Sequence, residues 1–291
     1  MPMLRSIASI SHPQSVVDGA GVHIKRMFGF GKENLFDPFL LLDNFGGDKP
    51  EEYLAGFPWH PHRGIETITY MLEGDVEHGD SIGNQGWIHP GDVQWMTAGS
   101  GIIHQEMPKG NAEGRMSGFQ LWANLPSSEK MMEPRYRDIR SQDIPIVEIP
   151  QGMIRIICGS VGNTSGPVQD IVISPEYLDV TLHPNQQWSH PTTPGHTVFV
   201  LLFRGGARFS EETDILQAGE GLIVRLSDGE QVVITSGGNG ARFLLISGKP
   251  LKEPVAWGGP IVMNTRDELQ TAFTELRLGT FIKPNSQALQ G

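Results

Sequence analysis

The sequence predicts an all-β chain: two small β-barrels in tandem, followed by one C-terminal helix. Three observations lead there. Short runs rich in β-branched and aromatic residues recur and are cut by turn residues; Gly (36) and Pro (21) among 291 residues both exceed the usual ~7% and ~5%. The turn pattern of the first half returns in the second: aligning Pro90-Gly91-Asp92 with Ala218-Gly219-Glu220 carries Gly101 onto Gly229 without a gap. The tail from Asn264 carries a capped, amphipathic helix signature, and the stretch Ser127 to Pro150 reads as partly turn or short helix.

Taken in order, Val22 to Phe28 reads as a strand ending at Gly29, and Phe39 to Leu42 as a buried strand; Asp43 to Asp48 reads as a loop. Ile65 to Leu72 is a strand closed by the hairpin signal Glu73-Gly74-Asp75. Val93 to Met96 is a strand, and Ala98 to Gly101 a tight turn. Phe119 to Asn124 is a further strand. Composition shifts between Ser127 and Pro150, where charges mix and period-2 alternation fades. The expected division is a first barrel over 1–135, a linker over 136–150, and a second barrel with the helix over 151–291. In the helix, Thr265 or Asn264 is the cap, Glu268 completes a capping box, and Leu269, Phe273 and Leu276 form one apolar face that Gly279 ends.

The first half carries two short pairs of candidate ligands, His60/His62 and His104/Glu106, each spaced i, i+2. On a strand, residues two apart share a face, so each pair can present two donors to one point. Facing strands would assemble three imidazoles and one carboxylate, a set suited to a first-row transition metal with coordination positions left open. Arg63 and Glu66 follow the first pair directly, where they can orient ligands or substrate; a salt bridge at the barrel mouth is the alternative. Met96 and Trp122 are either cavity wall or core. In the second half the repeat puts Val232 at the place of His104, Ile234 at that of Glu106, and Pro191 and Thr193 at those of His60 and His62. One metal per chain, in the first barrel alone, is therefore expected.

Composition narrows the function classes. A net charge of −11 repels phosphate backbones and argues against direct nucleic-acid binding. Cys158 is the one cysteine, which excludes an intrachain disulfide and a Cys-based zinc site; it reads as a small buried hydrophobe. No run approaches the ~20 apolar residues of a membrane span, and the N-terminus has no signal-peptide pattern, so a cytoplasmic location is expected; a monomer is expected besides.

Three stretches together resemble the pirin family: His60 to Glu66, Pro90 to Gly99, and Gly101 to Met107. Asp37 to Phe45 and Gly259 to Thr265 extend the resemblance over nearly the whole chain. Pirins are bicupins, so the resemblance implies two double-stranded β-helix (jelly-roll) barrels. It implies His60, His62, His104 and Glu106 as ligands of an iron-type metal; zinc, nickel, copper and manganese stay open on the donor set alone. It implies a quercetinase, an oxidoreductase that cleaves a flavonol with O₂, in which Glu106 is ligand and proton acceptor. The alternative it carries is a regulator whose metal alters a surface that binds a metabolic enzyme or, in a nucleus, a transcription factor.

Overall fold

The computed structural model describes residues 2–211 and 213–283, and antiparallel strands make up most of it. The all-β reading with a C-terminal helix holds. None of the described helices is long and apolar enough to cross a membrane.

One compact unit gathers residues 15–141 with the chain from Leu251 onward. Its seven-stranded sheet runs in the order Arg135–Ile139, Val93–Thr97, Ile65–Glu73, Met116–Asn124, Phe39–Gly47, Val22–Phe28, Gln14–Asp18. Its four-stranded sheet runs Phe57–His62, Ile102–Lys109, Asp75–Asp80, Gln85–Ile88. Along Ile102–Lys109 burial alternates residue by residue, as a strand with one inward face requires. Leu40, Ile65, Met96, Ala98, Ile102 and Val262 form one core cluster of this unit, so Met96 is core.

The other unit joins the N-terminal segment up to Gln14 with residues 142–250. It is a nine-stranded sheet in which Ile7–Ser11 pairs with Leu222–Leu226. Its core takes in Val198, Val200, Leu202, Val232, Ile234, Phe243 and Leu245. Arg5 stitches the N-terminus into it, donating to Thr192 Oγ1 (2.7 Å), the Thr193 carbonyl (2.7 Å) and the Ser227 carbonyl (2.8 Å). Cys158 ends the Gly152–Cys158 strand and is buried.

This division differs from the expected 1–135, 136–150 and 151–291. Arg135–Ile139 is a strand paired with Val93–Thr97, so the expected linker begins inside the first unit. The helix belongs to that same unit. Thr265 caps it with Glu268 in a reciprocal box, and Gly279 at φ 71° ends it. Leu269, Phe273 and Leu276 pack on Ile261, Met263 and Phe281. Arg63 ties the helix down from within, binding Glu275 at 2.7 Å and the Phe281 carbonyl at 2.8 Å, so its role is the salt bridge. Asp43 to Gly47 is also no loop. Asp43 to Phe45 is paired on both sides, with Val22–Phe28 and with Met116–Asn124, and Gly46 and Gly47 continue the pairing with Ser117 and Met116.

Lys130 is a second internal tie. It is 2% exposed, and its Nζ donates to the Gly64 carbonyl (2.9 Å), Asn124 Oδ1 (2.7 Å) and the Val262 carbonyl (3.1 Å). Burial pulls its pKa down to about 7, while three oxygen acceptors match the three donors of the charged ammonium. Lys130→Met keeps the volume and takes the ammonium donor away from Asn124 Oδ1 and the Gly64 and Val262 carbonyls. It should cost about 2–4 kcal/mol of stability, read as a lower urea midpoint with an unchanged far-UV spectrum. An unchanged midpoint would show that the ammonium does not hold these segments.

Candidate metal centre

The site is set by the pairing of two strands. In the antiparallel pair Phe57–His62 and Ile102–Lys109, His104 stands opposite His60 and Ile102 opposite His62. Phe57–His62 is the edge strand of its sheet, which tolerates Pro58 and Pro61. The three imidazoles of His60, His62 and His104 converge, with one nitrogen of each within 4.8 Å of the others. His60 Nε2 and His62 Nε2 are 3.1 Å apart; two nitrogens each ~2.1 Å from one ion stand about 3.0–3.4 Å apart.

Backbone carbonyls turn two of the rings the right way. His60 Nδ1 donates to the Pro58 carbonyl (2.9 Å) and His62 Nδ1 to the Pro260 carbonyl (3.1 Å). Each leaves the Nε2 lone pair toward the cluster. His104 is fully buried, and neither ring nitrogen has a hydrogen-bond partner among the described residues. An unsatisfied buried group of this kind costs about 1–3 kcal/mol, which a metal bond would remove. Burial, then the neighbouring His60, pulls His62 down to about 3. Burial and the surrounding imidazoles put His104 well below the ordinary histidine range. Both rings are thus neutral donors at physiological pH, and the set fits a divalent transition metal.

Glu106 lies two residues on along the same strand but is not among the side chains grouped within 4.8 Å. A register shift between His104 and Glu106 sets it opposite Phe57. Its carboxylate accepts from Gln120 Nε2 at 3.1 and 3.3 Å and from Thr69 Oγ1 at 3.1 Å. Glu66 is buried and takes its hydrogen bond from Thr97 Oγ1 at 2.7 Å; burial raises its pKa. The sequence reading passed over His78, whose ring lies 5.4 Å from that of His104 and stacks on Tyr136. His78 and Asp80 form a third i, i+2 pair on a neighbouring strand, 3.4 Å apart at Nε2 and Oδ2. The spacing rule that found the other two pairs also applies to this one.

A cavity of about 610 Å³ opens beside the imidazoles. His60 and His62 line it together with Phe30, Phe57, Trp122 and Trp257, and the polar residues Gln120, Asp43, Arg26 and Asp18. Trp122 Nε1 is buried and has no hydrogen-bond partner among the described residues. Burial pushes the Asp43 carboxyl up to about 6 against the pull of Arg26.

The second unit has the same strand pair without the three-imidazole cluster. Val232, aligned with His104, stands opposite His190, so His190 corresponds to His60 and the expected Pro191 was one residue out. His190 is engaged with Glu176 at 2.7 Å, and Val232 and Ile234 are core.

A pattern for the Pirin family matches residues 21–123, and one for the Pirin C-terminal cupin domain matches residues 177–282. A pirin-like protein of Caulobacter vibrioides is 40% identical over 283 residues, spanning 97% of this chain and all of that one. The crystal structure of a quercetin 2,3-dioxygenase from Acinetobacter baumannii superposes with a TM-score of 0.85 at 30% identity, covering 96% of this chain and 98% of that one. The pirin YhhW of Escherichia coli, solved in complex with nickel(II), shares the fold at a TM-score of 0.63 and 23% identity, over 83% of this chain and 99% of that one.

Two metal measurements check the centre. Purified protein should hold one equivalent of divalent metal per chain, and Val232→Thr should leave that number unchanged; two equivalents would refute a ligand-free second unit. Metal at about 100 times its Kd should stabilise the chain by about 2.7 kcal/mol, and His104→Ala should abolish that gain. A gain that survives in His104→Ala would place the metal elsewhere.

Proposed function

Because this chain belongs to the pirin family, we propose that it is a metal-dependent dioxygenase acting on flavonol-type substrates. The observation that carries this reading is the three-imidazole cluster, two of whose rings, His60 and His62, line an aromatic-walled cavity of about 610 Å³. Cavities of ~300–1,000 Å³ suit drug-sized ligands, and a three-ring flavonol is of that size. A regulator that used its metal only to alter a surface would have no need of such a space. The dioxygenase name carried by the Acinetobacter baumannii structure supports the same reading.

His60, His62 and His104, with Glu106 as the carboxylate, would hold the metal, iron by resemblance to the family. Three neutral imidazoles and one carboxylate leave a divalent site at about +1, and the chemistry it supplies when loaded is binding of a deprotonated substrate hydroxyl and access to O₂. The rest falls to the chain. Trp122, Trp257 and Phe57 hold the planar rings and keep water from them. Glu106 accepts the proton of the 3-hydroxyl on a carboxylate oxygen, fixed in place by Gln120 and Thr69. Both atoms of O₂ enter the opened ester while the carbon that bore the hydroxyl leaves as carbon monoxide, so the reaction needs no external reductant.

The test is anaerobic loading with ferrous iron, then O₂ uptake and carbon monoxide release with a panel of flavonols. Uptake of one O₂ per carbon monoxide is expected; a fully loaded protein inert toward the whole panel would overturn the reading.

Glu106→Gln keeps the shape of the side chain but removes the one charged donor, taking the site from about +1 to about +2. The protein should stay folded, bind metal tenfold or more weakly (outer partners alone are worth ~10–100-fold), and take up no O₂ with flavonol even in excess iron. Wild-type affinity and turnover in this variant would show that Glu106 is neither ligand nor base.

A further inference from the structure

One row of side chains crosses the larger sheet beside the metal centre. Thr69 pairs with Gln120, Gln120 with Asp43, and Asp43 with Arg26. At one end Gln120 bonds Glu106, on the strand that carries His104. At the other, Arg26 Nε donates to Asp43 Oδ1 (2.9 Å), and Nη2 to Asp43 Oδ2 (2.8 Å) and Asp18 Oδ2 (2.8 Å). Strands stand ~4.8 Å apart, so Asp43 lies ~5 Å and Arg26 ~10 Å beyond Gln120. Gln120, Asp43, Arg26 and Asp18 line the same cavity as His60 and His62.

Structural need explains this cluster poorly. Asp43 is only 5% exposed, and burying a charged pair commonly stabilises no more than apolar packing would. Two carboxylates face one guanidinium, leaving a net charge of about −1. Each carboxylate oxygen has a second lone-pair direction to offer, and Arg26 Nη1 makes no hydrogen bond among the described residues. Such a cluster accepts hydrogen bonds from neutral hydroxyls and repels anions.

We propose that Asp43, Asp18 and Arg26 form the second recognition point of the cavity, binding hydroxyl groups on the far ring of a planar aromatic ligand and excluding anionic substituents there. This rests on the flavonol reading above and sharpens it: the ligand class is neutral, polyhydroxylated aromatics, one end at the metal centre and a hydroxylated ring ~10 Å away.

The test is equilibrium binding to the metal-loaded full chain without O₂, followed by quenching of tryptophan fluorescence. The probes are quercetin, 3-hydroxyflavone and a quercetin sulfonate. All three share the 3-hydroxy-4-keto end; the second lacks the ring hydroxyls, and the third adds a fixed negative charge. Wild type should bind quercetin about tenfold or more tightly than 3-hydroxyflavone, the scale of one hydrogen bond to a charged acceptor, and bind the sulfonate weakest. Asp43→Asn should collapse the preference between the first two. Asp18→Asn, a change at a half-exposed side chain that the fold will tolerate, should raise sulfonate affinity severalfold. Equal binding of quercetin and 3-hydroxyflavone by wild type, or preferences unmoved in both variants, overturns the recognition point and leaves the flavonol reading standing. Failure of every flavonol to bind overturns both.

Discussion

The register between Phe57–His62 and Ile102–Lys109 is the constraint on which the site depends. Strand side chains alternate faces, so a slip of one residue would turn the imidazoles out of the barrel. The turn after His62 pins the register. Gly64 sits at φ 78°, where a Cβ would run into the Val262 carbonyl. Its N–H donates to the Gly99 carbonyl (2.8 Å), and its own carbonyl accepts from Lys130. At the start of the partner strand, Gly101 at φ 141° leaves room for the Phe281 ring, which a Cβ would crowd.

The second unit shows what the same strand pair is without a ligand set. There Val232 and Ile234 fill the core, and His190 is spent on Glu176. Apolar side chains at these places satisfy themselves by packing. His104, equally buried, is left with two unpartnered nitrogens. The comparison separates fold from site: the strand pair packs with apolar side chains in the second unit, while the first copy bears the cost of a buried, unsatisfied imidazole.

The convergence of His60, His62 and His104 and the C-terminal helix were legible in the sequence because each rests on a local pattern. An i, i+2 spacing and a capping box need only neighbouring residues. The far end of the cavity was not. Asp43-Asn44-Phe45-Gly46-Gly47 has the composition of a turn, yet pairing of Asp43 to Phe45 on both flanks, and of the two glycines on one, holds it as strand and puts Asp43 in the cavity wall. That is tertiary pairing overriding local propensity. The interleaving of the chain escaped for a related reason. Ile7–Ser11 and the capped helix look alike wherever they dock, and no local signal distinguishes their own half of the sequence from the other.

That interleaving also bears on how the site is completed. The carbonyl that fixes the His62 tautomer belongs to Pro260, and Trp257, Gly259 and Pro260 close part of the cavity wall. Arg63, the residue after His62, is held by Glu275 and Phe281. Residues 57–107 supply the imidazoles, but the orientation of one ring and the anchorage of its strand come from a segment some two hundred residues later in the chain. A closing contact of such sequence separation cannot form before that segment is made and docked. The imidazole cluster is therefore a property of the complete unit, and its geometry reports on the docking of the C-terminal segment as directly as on the three rings themselves.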